Sequence, residues 1–203
     1  MALLFHTIPF DFDGAQAAIV NIKTDLTATR FDSNLRSRFN DIIRRFSSRQ
    51  LATAKLLDLA LESVCEEGES AAIEDRVLIA CCPFFDAVNE FPLGLMAVVA
   101  RSARSAGYSN SDCNRILFGE SDLGPLVGVK SDQPITLYSV RWLHPSQIPK
   151  AVSFLNTIKQ NFSEPQYAER LTQWITVYEK AMRDYFAIIV RSDRWGDEFS
   201  HTE

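Results

Sequence analysis

Cysteine is scarce in this sequence, and its spacing does not match the common zinc sites. The four cysteines of the 203-residue chain are Cys65, the adjacent pair Cys81 and Cys82, and Cys113. They form no CxxC motif, and no histidine stands near them at the spacing of a zinc ligand. We therefore expect buried free thiols in a reducing cytoplasm and no bound metal.

Long apolar runs and an excess of positive charge are also lacking. Apolar runs such as LMAVVA at residues 95–100 are far too short to cross a bilayer about 30 Å thick. The first ten residues, MALLFHTIPF, carry no basic leader, which argues against a signal peptide. A net charge of -5 and a pI near 5.3 argue against non-specific attraction to nucleic acid or anionic membranes. These features predict a cytoplasmic protein without a membrane anchor.

The sequence does contain enough apolar residues for one sizeable core. With 46% hydrophobic residues, it fits a single domain over 1–203, in which polar residues 193–203 form a flexible tail. Alternating patterns predict strands over 2–8, 135–143 and 186–191. Helical spacing predicts helices over 15–26, 32–46, 51–65, 93–107, 112–118, 145–158 and 165–185. We therefore predict a helix-rich α+β fold with a small, mainly antiparallel sheet that joins the three strands; residues 72–82 fit a helix or a strand.

The motif PFDFDG at residues 9–14 follows the first predicted strand. Asp11 and Asp13, one residue apart and followed by Gly14, resemble the start of haloacid-dehalogenase-type phosphotransferases. The resemblance implies that the first aspartate attacks phosphorus beside a bound Mg²⁺. Two companions of such a site are missing, because no hydroxyl residue follows at the expected position and no strand after Lys130 ends in paired acids. Asp11 and Asp13 are therefore catalytic candidates only under this alternative.

The same letters also have a purely structural interpretation. Pro9 is expected to end the strand, because proline lacks the N–H that a strand ladder uses. Asp13 is expected to cap the next helix, with Gln16 completing a capping box. Phe12 then packs on the first helical turn as a hydrophobic staple. The role of Asp11 stays open in this interpretation.

An arginine cluster lies at residues 30–49. Its members are Arg30, Arg36, Arg38, Arg44, Arg45 and Arg49. On a helical wheel Arg36 falls on one side of the apolar stripe and Arg38 and Arg45 on the other, so their stems can cover the edge of the core while their charged ends reach water. No aromatic residues alternate with them to stack nucleic-acid bases. Binding of an acidic partner or of nucleic acid through this cluster is thus an alternative function.

A third candidate site stands at the end of the predicted strand ITLYSVRWL. Arg141, Trp142 and His144 lie where a strand turns into a helix, and a cleft that binds a ligand can form there. No acid or nucleophile stands close in sequence, so His144 is interpreted as the cap of the helix that begins at Pro145.

Two short motifs in the second half of the chain follow the same order as in a known family. The first is a segment of the type IL-G, and the second is a strand end followed by a helix opened by proline. The matching residues are Ile116, Leu117, Gly119, Leu143 and Pro145, with His144 in the position of a threonine cap. In these motifs, over residues 113–192, the chain resembles the YfbM-like family of uncharacterised bacterial proteins. The resemblance implies an α+β fold and assigns no catalytic residue.

No complete catalytic set can be assembled from the motifs in this sequence. It contains no convincing Ser-His-Asp, Cys-His, P-loop or GxGxxG arrangement. The leading hypothesis is therefore a non-enzymatic interaction or regulatory protein without a cofactor, which binds a protein partner or a second copy of itself. The first alternative is a Mg²⁺-dependent phosphohydrolase that uses Asp11 and Asp13.

Overall fold

Four strands and several helices form the part of the chain that the structure describes. The computed structural model describes residues 4–17, 81–119 and 141–192. The strands are β1 Leu4–Phe10, β2 Asn89–Pro92, β3 Arg141–Leu143 and β4 Ala187–Ser192. The helices are α1 Leu93–Ser105, α2 Asn110–Phe118, α3 Ile148–Gln160 and α4 Pro165–Arg183, and residues 12–17 are also helical. The predicted helix-rich α+β fold is confirmed.

The sheet has the strand order β2-β1-β4-β3. Each described pairing is antiparallel, as expected for strands that cover a helical layer. Because β1 and β3 are both antiparallel to β4, they run parallel to each other with β4 between them. Phe10 pairs with Ala187, and Leu143 pairs with Ile188. The carboxyl ends of β1 and β3 therefore lie together at one end of the sheet, which we call the distal end.

One face of the sheet packs against the four helices. Alternate strand residues such as Phe5, Leu143 and Ile188 belong to the main core cluster. Trp174 of α4 stands at its centre, with its ring centroid 6.1 Å from that of Phe118 at an interplanar angle of 9°. Full burial of a side chain of this kind stabilises the fold by about 1.5–3 kcal/mol. This core holds β3 and β4 in register, and so fixes the distal end.

The opposite face of the sheet is buried as well. Ile8 and Ile189 are fully buried there, and His6 is 3% exposed. The Nε2 atom of His6 lies 3.5 Å from a carboxylate oxygen of Glu90 on β2, its cross-strand neighbour. β1 is therefore covered on both faces, as suits a strand that lies between β2 and β4 in the middle of the sheet.

Pro9 lies within β1, so the prediction that it ends the strand is wrong. Its carbonyl oxygen accepts a hydrogen bond of 2.9 Å from the N–H of Asp86. Because the N–H and C=O of one strand residue point to the same side, the nitrogen of Pro9 faces Asp86 and not β4. Pairing with β4 therefore needs no N–H from Pro9, and the strand continues to Phe10.

The prediction for the last helix is right about its core and wrong about its end. Leu171, Trp174 and Tyr178 are buried as expected, whereas Met182 is 37% exposed and Tyr185 is 59% exposed. The helix ends at Arg183, before the helical spacing brings Tyr185 back to the core. A hydrogen bond of 2.9 Å from the N–H of Phe186 to the carbonyl of Ala181 closes this end.

Several predictions fall outside the described residues. They concern the helices at 32–46 and 51–65, most of residues 72–82, the start of the strand at 135–143 and the tail at 193–203. The arginine cluster, with Arg38 and Arg45, also lies there. Among the helices that the structure describes, none combines the length and the apolar character that spanning a membrane requires.

Candidate functional site

Asp11 is the N-cap of the helical residues 12–17. Its Oδ1 atom accepts a hydrogen bond of 3.1 Å from the N–H of Gly14, and its carbonyl accepts the first helical bond, 3.0 Å from the N–H of Ala15. A carboxylate at this place also interacts favourably with the positive end of the helix. The predicted cap at Asp13 is therefore wrong, since Asp13 lies exposed in the first turn. This arrangement gives Asp11 the structural role that the motif left open.

Replacing Asp11 with alanine is expected to lower the free energy of unfolding by about 1 kcal/mol, because the N–H of Gly14 loses its acceptor. Asp13→Ala is the matched control, and we expect it to change stability by less than about 0.5 kcal/mol. Urea denaturation of both variants measures the difference. A larger loss in Asp13→Ala than in Asp11→Ala would contradict the assignment of the cap.

Three aromatic side chains meet at the distal end of the sheet. The ring centroids of Phe12 and Trp142 are 5.4 Å apart with an interplanar angle of 18°. The ring of His144 meets that of Phe12 edge-on, at 5.2 Å and 77°, and that of Trp142 at 6.0 Å and 73°. We call Phe12, Trp142 and His144 the distal aromatic cluster. The structure thus brings together two candidate sites that are far apart in sequence, because β1 and β3 end at the same place.

His144 acts as the cap that the sequence predicts. Its Nδ1 atom accepts a hydrogen bond of 3.2 Å from the N–H of Ser146, and its own N–H donates to the side-chain oxygen of Gln147 at 2.9 Å. These bonds form a capping box at the short 3-10 helix Pro145–Gln147. With Nδ1 as an acceptor, the proton of the neutral ring lies on Nε2. The imidazole therefore offers a hydrogen-bond donor at Nε2 and not a general base.

Trp142 carries a buried N–H group without an acceptor. Within the described part of the chain, its Nε1 atom is buried and makes no hydrogen bond. A buried donor of this kind costs about 1–3 kcal/mol relative to one that is satisfied.

Arg141 does not join the distal aromatic cluster. Successive strand residues point to opposite faces of a sheet, so Arg141 shares the face of Leu143 and Trp142 takes the other one. Burial lowers the pKa of the Arg141 guanidinium, which nevertheless stays charged. The predicted group of three binding residues is therefore divided, with Trp142 and His144 on one side.

The distal end also exposes apolar side chains. In the described ranges, the large hydrophobic residues that are exposed are Met182 and Tyr185. Met182 lies in the last turn of α4 and Tyr185 two residues before β4, whose first residue, Ala187, pairs with Phe10. Tyr185 has a φ of 57°, in the left-handed region, where a residue with a Cβ atom loses about 1–2 kcal/mol. Strain and an exposed ring thus coincide at this end.

An ion pair fixes the last turns of α4 near the distal end. The Nζ atom of Lys180 binds the carboxylate of Asp86, whose N–H donates to Pro9 of β1. Phe85, the preceding residue, forms an isolated antiparallel bridge with Phe10. The segment around residue 85 therefore ties α4 to the end of β1.

The surroundings of Asp11 differ from those of a dehalogenase-type nucleophile. That chemistry requires companion residues at the carboxyl ends of parallel strands next to the first strand. Here both neighbours of β1 are antiparallel to it, so their carboxyl ends lie at the opposite end of the sheet from Asp11. In residues 4–17, 81–119 and 141–192, no three or more His, Cys, Asp or Glu side chains are grouped as metal ligands.

The thiols that the structure describes are buried and free, as the sequence predicts. Cys81, Cys82 and Cys113 form no disulfide. Burial raises the pKa of the Cys81 thiol to about 12 and that of the Cys82 thiol to about 12. Because the thiolate is the reactive form, these two thiols are poor nucleophiles at neutral pH.

Comparison of the chain with protein-family models, curated proteins and solved structures found no match. The resemblance to the YfbM-like family therefore stays a prediction.

Proposed function

We propose that this protein is a non-enzymatic, cytoplasmic interaction module that binds a protein partner through the distal end of its sheet. The observation that carries the proposal is the collection of aromatic and apolar side chains at this end. Its members are Phe12, Trp142, His144, Met182 and Tyr185. Aromatic residues and methionine are enriched at protein interfaces.

Trp142 supports this assignment, because its ring stacks on that of Phe12 at the end of the sheet, with 5.4 Å between the ring centroids. Tryptophan and tyrosine are also the residues whose loss weakens interfaces most. Trp142 and Tyr185 are therefore the expected energetic centres of the interface.

The strained backbone of Tyr185 points the same way. Glycine is the residue that best tolerates the left-handed position after a helix, yet this chain keeps an exposed tyrosine there. Strain of this kind persists at places where it serves binding or switching. A partner that buries the Tyr185 ring explains why the chain retains a residue that weakens its own fold.

Tyr185→Gly is expected to raise the free energy of unfolding by about 1 kcal/mol, because glycine adopts the left-handed conformation without a steric cost. Tyr185→Ala removes the same ring but keeps the strain, and it is the matched control. Thermal and urea denaturation measure both. Under the proposal both variants bind the partner more weakly, although only the glycine variant is more stable than the original chain. A glycine variant that is no more stable than the alanine variant would contradict the claim that the backbone of Tyr185 is strained.

Site-specific photo-crosslinking in the cells of origin tests the proposed function. Benzoyl-phenylalanine is placed at Met182 or at Tyr185, and the control position is the exposed Ala168, about 21 Å from Met182 along α4 at 1.5 Å per residue. We expect the same crosslinked protein from both distal positions and none from Ala168. Trp142→Ala should then weaken the binding of that purified protein by about tenfold or more, measured by calorimetry.

Two outcomes would overturn the proposal. The first is equal crosslinking at all three positions, and the second is no crosslink at any of them. A Mg²⁺-dependent phosphatase activity that is lost in Asp11→Asn with an intact fold would instead support the phosphohydrolase. Crosslinking between two copies of the chain would identify the partner as a second copy.

A further inference from the structure

A separate polar cleft lies away from the distal end of the sheet. It stands between the last turns of α1 and the loop that joins α3 to α4, and its volume is about 360 Å³. Small-molecule sites commonly have volumes of about 300–1,000 Å³, so a cleft of this size suits a small ligand and not a dinucleotide. The polar residues that line it are Arg101, Ser102, Ser105, Asn161, Ser163 and Glu164.

An ion pair spans the cleft. The Nη1 atom of Arg101 lies 3.5 Å from the Oε1 atom of Glu164, and their side chains are 66% and 30% exposed. A pair this open to water contributes little to stability, because solvent screens it. The second carboxylate oxygen of Glu164 accepts a hydrogen bond of 2.8 Å from the side chain of Gln166. Glu164 is therefore held in place, while Arg101 is free to turn towards a ligand.

The walls of the cleft offer hydrogen-bonding groups of both kinds. The hydroxyl of Ser105 donates to the carbonyl of Arg101 within α1, at 3.3 Å. In the part of the chain that the structure describes, the side chains of Ser102, Asn161 and Ser163 make no hydrogen bond. Hydroxyl and carboxamide groups both donate and accept. A small ligand can therefore satisfy donors and acceptors here without rearrangement of the protein.

We propose that this cleft binds a free α-amino acid or a zwitterion of similar size. A ligand carboxylate replaces Glu164 as the partner of Arg101, whose planar guanidinium binds carboxylates through two parallel hydrogen bonds. The ligand ammonium in turn pairs with Glu164. A ligand with a single charge breaks the ion pair and gives a new partner to only one of its two residues. A zwitterion gives a new partner to both Arg101 and Glu164. Val98 and Ala106 supply apolar surface for a short side chain.

Titration of the full chain with small molecules, followed by amide chemical shifts in NMR spectra, tests this site. The probes are L-alanine and L-serine as zwitterions, ethylamine and acetate as single charges, and glycerol as a neutral hydroxyl compound. We expect saturable shifts at Ser102 and Ser163 with the two amino acids. The dissociation constants for ethylamine, acetate and glycerol should be larger than those for the two amino acids by at least about tenfold.

Three surface substitutions complete the test. Arg101→Gln and Glu164→Gln should each weaken binding of L-alanine and L-serine by about tenfold or more. The control Arg104→Gln removes the same charge from an exposed residue of α1 that does not line the cleft, and it should leave the dissociation constant unchanged. Absence of saturable shifts with both amino acids, equal binding of glycerol or acetate, or equal effects of Arg101→Gln and Arg104→Gln would each overturn the proposal.

Discussion

Gly119→Ala is expected to lower the free energy of unfolding by about 3 kcal/mol or more. Gly119 ends α2 with φ 86° and ψ 175°, a conformation that is essentially restricted to glycine. A Cβ atom there would also lie 2.0 Å from the carbonyl oxygen of Trp142 and 3.0 Å from its carbonyl carbon. Both are backbone atoms of β3, so the strand itself would have to move.

Gly107→Ala is the matched control for this prediction. Gly107 also has a positive φ, 88°, but no atom lies within 4 Å of the position of its Cβ. We expect this variant to lose about 1–2 kcal/mol, the cost of the left-handed conformation by itself. The difference between the two variants in urea denaturation therefore measures the clash with β3 together with the extra cost of the extended ψ of Gly119. Equal losses would show that α2 and β3 do not approach each other this closely in solution.

Alkaline pH is expected to destabilise the fold from about pH 9 upwards. Burial raises the pKa of Cys81 from 9.0 to about 12 and that of Cys82 from 9.0 to about 12. Between these values the unfolded chain releases the thiol protons and the folded chain keeps them. Stability is thus fully present below pH 9 and is lost as pH rises towards 12. Each thiol contributes a slope of up to about 1.4 kcal/mol per pH unit.

Tyr178 adds to the loss of stability at still higher pH. Its hydroxyl is buried and donates to the carbonyl of Leu117 at 2.8 Å, and burial raises the pKa of this tyrosine. The folded chain therefore keeps the Tyr178 proton at a pH where the unfolded chain, with an ordinary pKa of about 10, releases it. The hydrogen bond to the last turn of α2 depends on that proton.

The measurement is the free energy of unfolding in urea at a series of pH values from about 7 to about 11. The control is the double variant Cys81→Ala/Cys82→Ala. It should be less stable at neutral pH, because buried sulfur atoms are lost, yet its stability should fall less steeply above pH 9. Parallel curves for the two proteins would contradict the assignment to these thiols.

Local patterns were enough to predict much of this fold. The helical spacing of Leu171, Trp174 and Tyr178 is visible in the sequence, and so is the Pro145 signal after His144. Tertiary partners decide the rest. The strand β2, with the sequence NEFP, lacks an alternating apolar pattern and exists because Phe91 pairs with Phe5 of β1.

The candidate site, like the fold, is visible in local sequence patterns only in part, and tertiary contacts decide the rest. The sequence marks Asp11 and Trp142 as unusual, but their proximity depends on the order β1-β4-β3, which no local pattern contains. The cap is Asp11 and not Asp13 because the helix begins directly after the end of β1, where the N–H of Gly14 donates to the carboxylate of Asp11. The exposure of Tyr185 depends on where α4 ends. One feature of the sequence could have indicated the distal aromatic cluster. The phenylalanine between the two aspartates, Phe12, is an apolar residue directly after a strand end.

The pairing of β1 with β4 also determines when the protein can fold during its synthesis. Residues 4–10 leave the ribosome long before their central partner at residues 187–192. Until then the side of β1 that faces β4 has no hydrogen-bonded neighbour, and the complete sheet cannot form. Contacts between residues so distant in sequence slow folding, and they leave an unpaired strand open to aggregation in the meantime. The sheet is therefore incomplete while the residues between β1 and β4 are being synthesised.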